Sequence, residues 1–243
     1  MPAIQQLSLI LYTFLIAGYV VLDGYDLGVG ILHVFRCRET DKKKSLKVIG
    51  SKWDWNEIWL VSGGCVLFAG VPKVSAVLFY SFRFIWLALL IGLIMKPLFV
   101  SYRKKVTLPF IQNFLDFGIS FSCALVAFMG GFLSGHLVIG LQIDAASETA
   151  MSISSFGCPY SIVMGFTSVF LFAVHGAFYL LQALPIDKQH DKQQERIGRF
   201  VVSFSILSVI CCLVCLILLR TQHKDVFQKL LMSPLSIFMM SLG

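Results

Sequence analysis

Residues 9–32 read LILYTFLIAGYVVLDGYDLGVGIL, and this run decides the class of the fold. It is apolar for more than the ~20 residues that a helix needs to cross a bilayer, yet it carries Asp23 and Asp26. The two acids are three residues apart and share one helix face. Gly24, Gly28 and Gly30 lie around them and let another backbone approach closely. An acid left alone in hydrocarbon costs several kcal/mol, so each needs a partner, water or a role. Two readings remain open from these residues alone: a proton route or cation site, and hydrogen bonding that only holds helices together.

The remainder of the chain agrees with a membrane setting. The 243 residues are 57% hydrophobic and 14% charged, with a mean hydropathy of +0.82. Soluble domains carry about 25% charge, which excludes a soluble globular fold, a disordered chain and a fibre. The expected fold class is an all-α, polytopic transmembrane helix bundle in one membrane domain. Its spans are expected at about 6–35, 55–72, 74–96, 113–142, 157–184 and 198–220. The tail 226–242 is apolar but short. Lys229 and Pro234 interrupt it, which favours an interfacial or shortened helix over a seventh span. The N-terminus has no Lys or Arg before its apolar run and no small-residue cleavage site, so it reads as a retained first helix.

Charge sets the expected orientation. The 36–52 connection carries seven basic residues, and the 96–105 and 185–199 connections carry four each. The net charge of +7 therefore reads as a topology signal and not as a nucleic-acid surface. The three basic connections are expected in the cytoplasm and the N-terminus outside.

Other polar residues stand in or near the apolar blocks. In SKWDWNEIWL, Asp54 and Glu57 are three apart, with Asn56 between them and Trp53, Trp55 and Trp59 around them. Tryptophans at a span entry anchor to the interface, and the acids there are either wet or buried. Arg83 is expected within the third block. Lys96 is expected at its end, snorkelling to the interface. Asp116 reads as interfacial. His136 and His175 read as packed histidines, with no heme-ligating spacing beside them. Cys212 and Cys215 form a CxxC inside an apolar run and read as packing residues. No phosphate loop, metalloprotease motif or nucleophile elbow occurs.

Four of these segments carry a resemblance. LDGYDLGVG (22–30), WDWNEIWL (53–60), KPLFVSYRKK (96–105) and HGAFYL (175–180) resemble, in order and spacing, the motifs of subunit II of cytochrome bd ubiquinol oxidase. The resemblance covers about residues 5–185. It implies a heme-free accessory subunit of a terminal oxidase in the bacterial plasma membrane. Its partner would be a heme-bearing subunit I holding heme b, with or without heme d, and oxidising quinol while oxygen is reduced to water. Membrane lipid, a structural quinone and a small single-span subunit are further associations that it implies. Asp54, Asp23, Asp26 and Glu57 would form a proton route. Trp53, Asn56, Lys96, Tyr102, Arg103 and His175 would support it, and neither catalytic nor metal-binding residues are expected in this chain.

Departures from the family pattern are Lys96 for an arginine, Ser101 for an acid and Trp55 for a small residue, the last expected to narrow the entry. The family's C-terminal helices are expected to be absent or eroded. A proton- or cation-coupled transporter and a non-functional truncated remnant are the competing readings.

Overall fold

A computed structural model describes residues 3–36, 39–49, 53–140, 157–182 and 191–231. All regular elements among them are helical. They are α1 (Ala3–His33), α2 (Glu39–Ile49), α3 (Trp53–Gly70), α4 (Pro72–Ser81), α5 (Arg83–Arg103), α6 (Pro109–Ile139), α7 (Pro159–Gln182), α8 (Asp191–Gln222) and α9 (Lys224–Leu231). Five of the described helices, α1, α5, α6, α7 and α8, are long and apolar enough to cross a membrane.

The bundle is packed through small residues, because lipid supplies no hydrophobic drive between helices. A Cβ at Gly28 would overlap the Phe172 carbonyl, and one at Gly176 would overlap the backbone of Gly28. Here α1 and α7 therefore touch backbone to backbone, running parallel. Gly30 of α1 meets Cys123 of α6, Gly92 of α5 meets Val126, and Gly131 and Gly135 of α6 meet α7 at Ser168 and Ser161. Residues such as Ile10, Phe14, Leu87, Phe117 and Val209 face outward, where a bilayer would cover them. The interior holds Leu27, Val29, Ile119 and Ala173 together with most of the buried charge.

The third apolar block differs from its expected form. The helix is interrupted at Phe82 (φ −103°, ψ 21°), so Arg83 stands at the first position of α5, a helix long and apolar enough to cross a membrane, and not part-way along one continuous helix. No proline or glycine causes the break. Phe82 is fully buried against Ile85, Phe132 and Leu133, and its ring meets His136 edge-on, so packing on α6 sets the bend. Arg83 is exposed and lies over the rings of Tyr80 and Phe84. α5 continues past the expected end at 96 to Arg103, which places Lys96 in its interior. Pro97 is accommodated within the same helix.

The ends of the bundle are defined by contacts. At one end, Arg196 of α8 donates to the Phe35 carbonyl, and Arg103 meets His33 through Asp116. The C-terminal ends of α1, α5 and α7, from which the basic connections follow in the sequence, lie at this end. α2 closes it by inserting Leu46 and Ile49 into the core while Lys43 and Lys47 stay exposed. At the other end Tyr160, Leu219, Val226 and Phe227 pack together, joining α9 to α7 and α8. Residues 232–242 of the tail lie outside the described residues.

Candidate functional site

The buried charge forms two clusters. In the inner one, Lys96 Nζ donates to Asp23 Oδ1 at 3.1 Å and Oδ2 at 3.3 Å. Neither residue reaches solvent: Asp23 is 0% exposed and Lys96 is 1% exposed. The same ammonium lies 3.8 Å from Glu57 Oε1, and the Glu57 side chain keeps 24% exposure. Asn56 Nδ2 donates to Asp26 Oδ2 at 3.1 Å and to the Leu22 carbonyl at 2.9 Å, tying α3 to α1 beside the acids. Tyr19 is buried one turn before Asp23, and its hydroxyl has no hydrogen-bond partner among the described residues. By helix rise, Asp23 and Lys96 lie about 10–15 Å from the basic end, well inside a hydrocarbon core of ~30 Å.

The physical logic is pairing. A lone ammonium or carboxylate at this depth is strongly unfavourable, and a bonded pair removes most of that cost. One cation faces two carboxylates, so the Lys96–Asp23–Glu57 group has an odd charge count. Lys96 and Asp23 are sealed, whereas the Glu57 side chain is partly exposed, with its Oε1, the oxygen facing Lys96, buried. That arrangement can hold one fixed ion pair and exchange a proton at the second acid.

The outer cluster caps the basic end. Asp116 Oδ1 accepts from His33 Nε2 at 2.9 Å and Arg103 Nε at 2.6 Å. Its Oδ2 accepts from Lys42 Nζ at 2.7 Å and Arg103 Nη2 at 3.3 Å. Arg103 Nη2 also bonds both oxygens of Glu39, at 2.8 and 3.0 Å. Ser120 Oγ donates to the Gly30 carbonyl and accepts from the Val34 amide, which caps the end of α1. Asp116 is thus a buried hub and not an interfacial acid. The interfacial reading fails because α2 folds over it and brings Lys42 and Glu39.

Asp23, Asp26, Asn56, Glu57 and Lys96 come together, and Arg103 anchors the second cluster. The side chains of Trp53 and Asp54 lie outside the described residues, so their place relative to these clusters is a matter for proposal. Tyr102 is exposed. His175 is exposed on the outer face of α7, edge-on to Tyr25 at 6.4 Å, and is not a packed interior histidine. Its ring sits where a Gly24 side chain would be, and Tyr25 stacks on Tyr179 at 4.6 Å. Trp55 is 73% exposed and so does not narrow an entry. His136 is held by its own helix, Nδ1 donating to the Phe132 carbonyl at 3.0 Å. Cys215 is buried near Thr167, while Cys212 is exposed on α8.

His33, Glu39 and Lys42 were not expected at a site. His33 follows GVGIL at the end of an apolar run, and Glu39 and Lys42 fall in a stretch that reads as a solvated basic loop. The only signal for them is that two charged residues, Arg103 and Asp116, flank a short connection and each need an opposite partner.

Fold and site together define a polytopic, all-helical membrane protein whose interior is organised by buried ion pairs. The chain belongs to the cytochrome bd terminal oxidase subunit II family, whose model matches residues 4–243. It is 30% identical over 171 residues to cytochrome bd-I ubiquinol oxidase subunit 2 of Escherichia coli K12, covering 68% of this chain and 45% of that protein. It is 29% identical over 176 residues to a probable cytochrome oxidase subunit 2 of Haemophilus influenzae, covering 70% and 47%. Cytochrome bd ubiquinol oxidase subunit 2 of Bacillus subtilis is 28% identical over 181 residues, covering 74% and 54%. The chain spans about half the length of the curated relatives it matches. It is a multi-pass protein of the bacterial inner membrane.

Proposed function

We propose that this chain acts as a heme-free subunit II of a bd-type quinol:oxygen oxidase. It assembles with a heme-bearing subunit I and supplies acids to the proton supply for oxygen reduction. The observation that carries the reading is the Lys96–Asp23–Glu57 group: a sealed ion pair at membrane depth, with a second, partly exposed carboxylate whose buried Oε1 lies 3.8 Å away. Its members come from three of the four motif segments that resemble the family's. Glu57 exchanges the proton, Lys96 and Asp23 set the field around it, and Asn56 orients Asp26. Asp54, one turn before Glu57 on α3, is the partner acid in this scheme.

Heme b, and heme d where the complex has it, is assigned to subunit I. The basic end is assigned to the cytoplasm and the N-terminus to the outside, supported by the C-terminal ends of α1, α5 and α7 lying together there.

The test is co-purification. The tagged chain is extracted in mild detergent, and the reduced-minus-oxidised heme spectrum is recorded with quinol-driven oxygen uptake. A heme-bearing partner with oxygen consumption is expected. A colourless preparation without a partner would overturn the reading.

A further inference from the structure

Tyr19 stands one turn before Asp23 on α1 and is buried, with 9% of its surface exposed. Its hydroxyl completes no hydrogen bond among the described residues. A buried hydroxyl in that state is costly, so it calls for a role. The Asp23 carboxylate acts on it most strongly, at the edge of hydrogen-bonding reach, followed by Glu57 and Cys123. Asp23 is meanwhile served by Lys96, whose ammonium is shared between its two oxygens at 3.1 and 3.3 Å. Glu57 Oε1 stands 3.8 Å from the same ammonium, beyond hydrogen-bond length. A displacement of about 1 Å would complete that bond. One ammonium thus lies between two acids, with a spare donor beside the first of them. The other titratable groups around it are Asp26 of α1, bonded to Asn56, and Cys123 of α6, while His175 of α7 stands across Gly24 and is exposed.

We propose that Tyr19 is a positioning residue for this group: its hydroxyl donates to Asp23 when Lys96 moves to an ionised Glu57, so that one ammonium serves the two acids in turn. With Glu57 protonated, Lys96 stays on Asp23, as observed. When Glu57 gives up its proton through its partly exposed side, Lys96 follows the new charge. Tyr19 then supplies the bond that Asp23 has lost. Lys96 and Tyr19 keep their own protons throughout, and the one proton exchanged is that of Glu57. A hydroxyl suits this place because it adds a donor without adding a charge. The consequence for turnover rests on the subunit II reading, whereas the exchange of partners does not.

The test is an infrared pH titration of the full chain in mild detergent, following the carbonyl band of the protonated carboxyl. The Glu57 band is identified by its loss in Glu57→Gln. Tyr19→Phe removes only the hydroxyl, so the state with both acids ionised loses a donor. The pH at which the Glu57 band disappears should rise by about one unit, the tenfold effect of one hydrogen bond to a charged group. Above that pH the thermal midpoint of Tyr19→Phe should fall below the parent's. In a Glu57→Gln background Lys96 never leaves Asp23, and Tyr19→Phe should lower the midpoint at no pH. An unmoved band, or a Tyr19→Phe chain as stable as the parent or more so at every pH, would overturn the proposal and make the hydroxyl a packing feature only. A moved band in a chain that purifies without a heme-bearing partner would uphold the exchange and remove the subunit II reading. An active oxidase with an unmoved band would do the reverse.

Discussion

Lys96 and Asp23 meet at 3.1 Å across 73 positions of sequence, both sealed from solvent within the bundle. The contact joins α5 to α1 inside the bundle and pairs the cation of the inner cluster with one of its acids. Removing the cation leaves a carboxylate buried without its partner, which in comparable cases costs about 3–5 kcal/mol. Lys96→Met should therefore lower the thermal unfolding midpoint of the detergent-solubilised chain sharply. Lys96→Arg should retain most of it, since the charge is kept. Similar melting of Lys96→Met and the parent would show that Asp23 is satisfied by other means.

Asp116 should be the most sensitive position at the basic end. Its two oxygens accept from His33, Lys42 and Arg103. Asp116→Asn keeps the shape but turns one acceptor into a donor facing cations, so a loss of about 3 kcal/mol or more is expected. His33→Leu removes only one of the bonds and should cost about 1–2 kcal/mol. The order of the two melting midpoints decides whether Asp116 is the hub.

Glycines divide by what surrounds them. Gly28→Ala drives a methyl into the Phe172 carbonyl and Gly176→Ala drives one into the Gly28 backbone, so both should impair folding. Gly64→Ala and Gly130→Ala meet nothing within 4 Å and should be neutral, or stabilising by up to about 1 kcal/mol through helix propensity. Size-exclusion profiles of the four variants separate the pairs. A well-behaved Gly28→Ala would mean that α1 and α7 cross elsewhere.

Much of this was legible from sequence, and the exceptions share a cause. The all-helical membrane class follows from composition and from the length of the apolar runs. That Asp23 and Asp26 need partners follows from their depth in LILYTFLIAGYVVLDGYDLGVGIL. Which partners they take does not, because hydropathy is insensitive to where a helix begins inside a long apolar run. The break at Phe82 is set by burial on α6, a tertiary contact. It puts Arg83 at an aromatic-lined helix start, while the run of α5 on to Arg103 leaves Lys96 inside the helix against Asp23. Asp116 misled for a related reason. It stands near the start of an apolar helix, where acids are commonly wet, and only the folding of α2 across the bundle end buries it. His175 erred in the other direction, since helical depth along the chain says nothing about which face a side chain occupies.

Glu57 offers the sharpest functional test of the proposed complex. Its buried Oε1 is 3.8 Å from Lys96 and its side chain is partly exposed, while Asp23 is sealed. Glu57→Gln removes the exchangeable proton but keeps the size and a hydrogen-bonding group. In the co-purified oxidase, quinol-driven oxygen uptake should fall by about 10-fold or more, with heme content unchanged, as expected for loss of a proton-transfer group. Asp23→Asn should behave differently. It strips Lys96 of its closest counter-charge, so yield and stability should fall together with turnover. Asp54→Asn belongs beside Glu57→Gln if the two acids act in sequence, slowing turnover at constant heme. A Glu57→Gln oxidase with full turnover would remove this residue from the proton route, and the Lys96 cluster would then be an ion-pair clamp between α1, α3 and α5.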